Sequence, residues 1–127
     1  MKRLLLIVAT LVSTGAAAQT TKVTPLIAHD LAGGARDEGA VLTVEYAPGA
    51  EGPIHRHDAH VFVYVIEGSV VMQVRGAEQV TLGPGQTFYE GPNDVHVVGR
   101  NASKTQPAKF LAFFVKDKGA PLVSPAQ

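Results

Sequence analysis

From residue 41 onward the chain is written in short alternations of apolar and polar positions. In Val41 to Ala47, Leu42, Val44 and Tyr46 alternate with Thr43 and Glu45, the two-residue period of a half-buried strand, and Pro48-Gly49 ends it. Six further segments have strand length and composition: Val61 to Ile66, Val70 to Arg75, Val80 to Leu82, Gln86 to Tyr89, Val95 to Val98 and Phe110 to Val115. Turn chemistry separates them, at Glu67-Gly68-Ser69, Gly76-Ala77, Gly83-Pro84-Gly85, Gly91-Pro92-Asn93-Asp94 and Asn101-Ala102-Ser103. No stretch has the length and 3.6-residue period of a helix. The pattern predicts an all-β domain, a sandwich or barrel.

Two ends fall outside this pattern. Residues 1–18, MKRLLLIVATLVSTGAAA, combine basic Lys2 and Arg3, an apolar run from Leu4 to Val12, and small residues Ala16 to Ala18. That is the layout of a cleaved secretory signal, and the apolar run is far below the roughly 20 residues of a spanning helix. The expected location is therefore secreted or periplasmic. The signal lacks a twin-arginine pair, so export is expected in the unfolded state, with any metal acquired afterwards. Residues 19–40 carry no sustained period and read as an N-terminal arm and loop, the barrel occupies 41–118, and 119–127 read as a frayed C-terminal tail.

Charge and cysteine content narrow the function classes. The eleven basic and eleven acidic residues balance. Loss of Lys2 and Arg3 with the signal leaves nine basic residues against eleven acidic, about −2, which gives no electrostatic basis for binding nucleic acid or an anionic membrane. There are no cysteines, so an exported domain of this size would have no disulfide staple, and oligomerisation is one remaining way to bury more surface.

The chemistry is concentrated in histidine. HRHDAH at residues 55–60 holds three of the five histidines. His55 and His57, two apart, project the same way from a strand, together with Val61, Val63 and Val65. Phe62, Tyr64 and Ile66 share the opposite face. That second face is apolar too, so it is expected to lie against the opposite sheet or a second subunit, and the chain is expected to be a homodimer. A first-row transition ion needs at least a third ligand from elsewhere, and His96, at the mouth of a later strand, is the candidate. His60 and Glu90 are possible additional ligands. Asp58 and Asp94, each close in sequence to a histidine, are candidate outer-shell carboxylates, although turn formation accounts for them equally well. No Cys nucleophile, G-x-S-x-G elbow, phosphate-cradling glycine loop or H-E-x-x-H is present.

These residues resemble the motifs of the cupins, small jelly-roll β-barrels. The first cupin motif reads G, five residues, H-x-H, three or four residues, E, six residues, G. Gly49, His55, His57 and Gly68 match it at the usual spacings, with Val61 at the glutamate position. The second reads G, five residues, P-x-G-x-x-H, three residues, N. Gly85 and His96 follow it, with Gly91 in place of the proline, Asn93 in place of the glycine, and Asn101 one residue late. The resemblance covers about residues 41–115. It implies a cupin jelly-roll β-barrel in a single domain, with a divalent metal on the inner face.

Carried over residue by residue, the family's ligand set reaches His55, His57 and His96 only, because valine cannot ligate. A bulge at Asp58-Ala59 would turn His60 inward as a substitute; Glu90 is the other candidate. Three imidazoles do not distinguish iron, manganese, nickel, copper and zinc. They leave coordination positions open for O₂ and a chelating anion, so the expected activity is a metal-dependent dioxygenase, an oxidoreductase acting on a small organic substrate. The alternative is a non-catalytic module that binds a small ligand or the ion itself.

Overall fold

The computed structural model describes residues 20–126; the expected export signal lies outside them. The described chain forms ten strands and no helix: β1 (Thr21–Asp30), β2 (Glu38–Tyr46), β3 (His55–Arg56), β4 (Ala59–Glu67), β5 (Val70–Val74), β6 (Val80–Leu82), β7 (Thr87–Glu90), β8 (Val95–Asn101), β9 (Ala108–Lys116) and β10 (Ser124–Pro125). They make two five-stranded antiparallel sheets, ordered β1-β2-β9-β4-β7 and β10-β3-β8-β5-β6. This is a jelly roll. Sequence neighbours β4 and β5 lie in different sheets, so the chain crosses between layers and draws distant residues to one interior.

Alternation along β4 sets the layers. Val61, Val63 and Val65 are buried, while Phe62, Tyr64 and Ile66 face outward. The inward set joins Leu42, Val44, Met72, Phe110 and Phe114 in a continuous core, and each fully buried valine contributes about 1.5–3 kcal/mol. The turn that lifts the chain from β4 to β5 depends on Gly68. Its φ is +69°, and a Cβ there would stand 2.3 Å from the Pro107 carbonyl oxygen, so only glycine fits.

Three elements differ from the sequence expectation. The segment expected as arm and loop contains β1, ten residues long and paired along β2 with a register shift at Pro25/Ile27. Its sequence has no period because nearly every position is exposed. The tail expected to fray instead adds β10 to β3, pairing Ser124 with Arg56 and Pro125 with His55. At the start of β4 there is no bulge: Ala59 pairs with Lys116 and His60 with Val115 in register, which leaves His60 on the outer face.

A bulge does occur in β8. Val98 pairs with Gln73 and His96 with Val74, so Val97 is the extra residue. One inserted residue reverses the facing of the positions beyond it. His96, Gly99 and Asn101 are all buried as a result, and the insertion accounts for Asn101 falling one position late. Asn101 fastens the end of β2, donating through Nδ2 to the carbonyls of Ala47 at 3.1 Å and Gln106 at 2.7 Å.

Candidate metal centre

The histidines meet because β3 and β8 are neighbours. His55 and His96 are direct cross-strand partners, and His57 follows two residues after His55, so all three rings enter the cavity between the sheets. One donor nitrogen from each lies within 4.8 Å of the others. His55 Nε2 and His57 Nε2 are 3.1 Å apart. Two nitrogens each about 2.1 Å from one ion, at a right angle, are about 3.0 Å apart, so this spacing suits the edge of a coordination shell.

Backbone carbonyls hold the rings in place. His55 Nδ1 lies 2.8 Å from the Pro53 carbonyl oxygen, and His57 Nδ1 contacts the carbonyl of Leu122. Each carbonyl accepts an N–H from Nδ1, which fixes the tautomer and turns the Nε2 lone pair inward, as outer-shell partners of metal-bound histidines do. His96 differs: neither buried ring nitrogen makes an aligned hydrogen bond among the described residues, although Nδ1 lies beside the Glu90 carboxylate. A buried nitrogen left without a partner costs about 1–3 kcal/mol, a cost that coordination through that nitrogen would remove. The donor set and its orientation therefore fit a divalent transition metal.

Glu90 is the acidic group of the site. It is only 3% exposed, with Oε1 2.7 Å from His96 Nδ1 and Oε2 3.5 Å from His57 Nε2. The first contact lacks hydrogen-bond alignment and the second is long, so both are close approaches of the carboxylate to the rings. Burial opposes ionisation, but the two imidazoles outweigh it and hold the carboxyl down at about 2. Burial likewise opposes charge on His57, yet Glu90 and the Leu122 carbonyl raise it above the ordinary histidine value. Burial dominates at His55 and lowers it. Tyr46 is pushed up to about 12 by burial and by the nearby Glu90 charge, so its phenol stays protonated.

The remaining expected residues lie elsewhere. His60 Nδ1 is 2.7 Å from the Tyr89 hydroxyl on the outer face, because the regular start of β4 gives it the parity of Phe62. Asp58 pairs with Arg36 at 3.2 Å. Asp94 accepts the Gly91 N–H at 2.7 Å and closes its turn. The orienting role expected of these two carboxylates is taken by the Pro53 and Leu122 carbonyls, which no side-chain pattern could reveal. Tyr46, one of the cavity residues, was legible only as the inward neighbour of Leu42 and Val44.

The four groups stand in a cavity of about 400 Å³, the size of a small-molecule site. Its walls are apolar, with Leu42, Val44, Val63, Met72, Phe110 and Phe114 among them. Residues of β1 and of the C-terminal segment, including Val23 and Val123, flank it, and both are half exposed.

Comparison with known proteins agrees with this architecture. The sequence profile of the cupin domain family matches residues 42–114. An oxalate oxidase in complex with the substrate analogue glycolate superposes with a TM-score of 0.65 at 21% identity, covering 93% of this chain and 62% of its own. The DMSP lyase DddQ from Ruegeria pomeroyi DSS-3 gives 0.59 at 22% identity over 65% of this chain and 41% of its own. The cupin domain of an XRE family transcriptional regulator from Enterobacter cloacae gives 0.59 at 26% identity, covering 79% of this chain and all of that domain. This chain spans less than two thirds of the oxidase and less than half of the lyase. No curated protein matches it.

Proposed function

The chain belongs to the cupin domain family, and from that premise we propose that it is a metal-dependent oxidoreductase of the dioxygenase class acting on a small, apolar-bodied organic substrate. One observation carries the reading: two inward Nε2 atoms 3.1 Å apart, their Nδ1 partners locked by backbone carbonyls, beside a buried histidine that makes no aligned hydrogen bond. His55, His57 and His96 would hold the ion, and Glu90 would supply the carboxylate that the cupin motif places at Val61. Bound there, a divalent transition metal supplies a Lewis acid with open positions for O₂ and a chelating oxygen donor. Glu90 lowers the net charge of the centre by one, which favours a monoanionic substrate. The walls exclude water and orient the substrate's apolar body.

The test has two parts. Metal per chain is measured by plasma mass spectrometry in the wild type and in His55→Ala, His57→Ala, His96→Ala and His60→Ala. The first three are expected to lose stoichiometric metal and the fourth to keep it. O₂ uptake by loaded protein is then followed against thiols, diketones and flavonols. Tight binding of one of these without turnover favours the non-catalytic binding module.

Two further properties belong to the proposal. Export to the periplasm or medium is supported by the basic, apolar and small-residue layout of residues 1–18, and mature protein beginning at Gln19 in that fraction would establish it. A homodimer is supported by the outward face of β4, β7 and β9, where Phe62, Tyr64, Tyr89 and Phe113 are 39–49% exposed.

A further inference from the structure

Among the polar groups lining the cavity, Tyr46 has no part in the metal reading. Tyr46 is 94% buried, being 6% exposed. Its ring packs edge-on to Phe110, with centroids 5.5 Å apart, and its hydroxyl makes no hydrogen bond among the described residues. The ring is buried, but the hydroxyl is not among the buried atoms left without a partner, so it is open to the cavity that Tyr46 lines. It reaches a recess between two glycines. A Cβ added at Gly52 would lie 3.7 Å from Tyr46 Oη, and one at Gly99 would lie 3.3 Å from it. The two glycines are joined by a backbone bond, Gly52 N–H to the Gly99 carbonyl at 2.8 Å, so the recess has a fixed wall.

The same recess reaches His96. The point 3.3 Å from Tyr46 Oη that a Gly99 Cβ would occupy is also 3.1 Å from His96 Nε2. A side chain at residue 99 would fill the space that the phenol and the imidazole share. Glycine keeps it clear. The phenol O–H is a donor at neutral pH, and Glu51, a further carboxylate lining the cavity, is solvent-exposed, where its charge is screened.

We propose that Tyr46 is a substrate-positioning residue, whose hydroxyl donates a hydrogen bond to an anionic oxygen, a carboxylate or enolate, held at the histidine centre. The inference rests on the metal reading and adds to it the acceptor chemistry of the ligand. A carboxylate with one oxygen at the centre has a second oxygen free to accept from Oη, while its alkyl body lies against the Val44 and Phe110 walls. A ligand that binds the centre but has no acceptor left gains nothing from Tyr46.

The test uses cobalt-loaded full-length protein, with propionate and imidazole as probes and the visible cobalt spectrum as readout. Tyr46→Phe keeps the ring packed against Phe110 and is expected to retain full cobalt. Propionate affinity is expected to fall about ten-fold or more, the loss of one hydrogen bond to a charged group, while imidazole affinity changes less than about two-fold. In the wild type, propionate but not imidazole is expected to perturb the tyrosine ultraviolet band, a measurement that needs no variant. Unchanged propionate affinity, or equal loss of both probes, overturns the proposal. Wild-type protein that takes up no cobalt overturns the metal reading and this inference with it.

Discussion

Val61 and Glu90 are direct partners across the β4–β7 pair, and both point into the cavity, 1% and 3% exposed. Val61 holds the position where the first cupin motif has its glutamate, and the residue facing it on the next strand is a glutamate. Directly opposed residues have Cβ atoms about 4.5–5.5 Å apart, a gap a flexible carboxylate side chain spans. On the proposed reading, the acidic group stands on the neighbouring strand, facing the position the motif gives it.

That relationship predicts a transplant. Glu90→Val removes the carboxylate and is expected to weaken metal binding by about 10- to 100-fold, the scale of losing a close carboxylate partner. Adding Val61→Glu in the same chain is expected to recover most of the loss. Val61→Glu alone places two carboxylates side by side in a buried site, where both cannot ionise freely, and is expected to destabilise the metal-free fold. Competition titration with a chromophoric chelator measures all three variants. A double variant no tighter than Glu90→Val alone would show that the two positions are not equivalent.

The tail gives a second prediction. His57 owes its orientation to the Leu122 carbonyl, and β10 anchors that segment to β3. Truncation after Ala120 is expected to leave the core strands intact and to lower metal affinity about ten-fold, because an outer-shell partner is lost without any ligand. Circular dichroism checks the first part and the chelator titration the second. A truncated chain with wild-type affinity would return the tail to the role of a dispensable end.

Legibility followed the physics of each element. β4 and β9 were readable because one face is buried and the two-residue period survives, as in Val61, Val63 and Val65, while β5, with Val70, Val71 and Met72 all buried, was readable as a short apolar run between turns. β1 was not, since its strand character comes from pairing with β2 while its side chains stay in water and Pro25 breaks the pattern. β3 and β10, two residues each, are too short for any period. At the site, His55, His57 and His96 announced themselves by type and spacing. The inward direction of Glu90 depends on the register of β7 against β4, which a single strand does not encode. Tyr46 shared the parity of Leu42 and Val44, and read as one more core residue because a tyrosine ring packs like any other.

Gly68 supplies a prediction about stability alone. Gly68→Ala must accommodate a Cβ against the Pro107 carbonyl and the Ala108 backbone at a φ of +69°, and is expected to cost about 2–3 kcal/mol from combined strain and overlap. Gly76→Ala has a similar φ of +84° with nothing within 4 Å, so only the conformational penalty of about 1–2 kcal/mol remains. Urea unfolding of the pair separates crowding from backbone preference. Equal losses would mean that the β9 end yields.

The last prediction concerns the outer face. Phe62 and Phe113 stack with centroids 6.1 Å apart, and Phe62 and Tyr89 lie 5.2 Å apart, so these side chains form one aromatic surface. Tyr64 and Ile66 extend it along β4, each more than 40% exposed. Burying such a face between two copies removes apolar area from water at roughly 25 cal/mol per Å², which suits a chain with no disulfides. Light scattering at micromolar concentration is expected to give twice the chain mass. Tyr64→Glu places a charge at the middle of that surface, where desolvation without a partner costs several kcal/mol, and is expected to shift the mass to one chain. Since residue 64 faces away from the cavity, metal content should be unchanged, which separates loss of the interface from loss of the fold. A wild-type mass of one chain at these concentrations would remove the dimer.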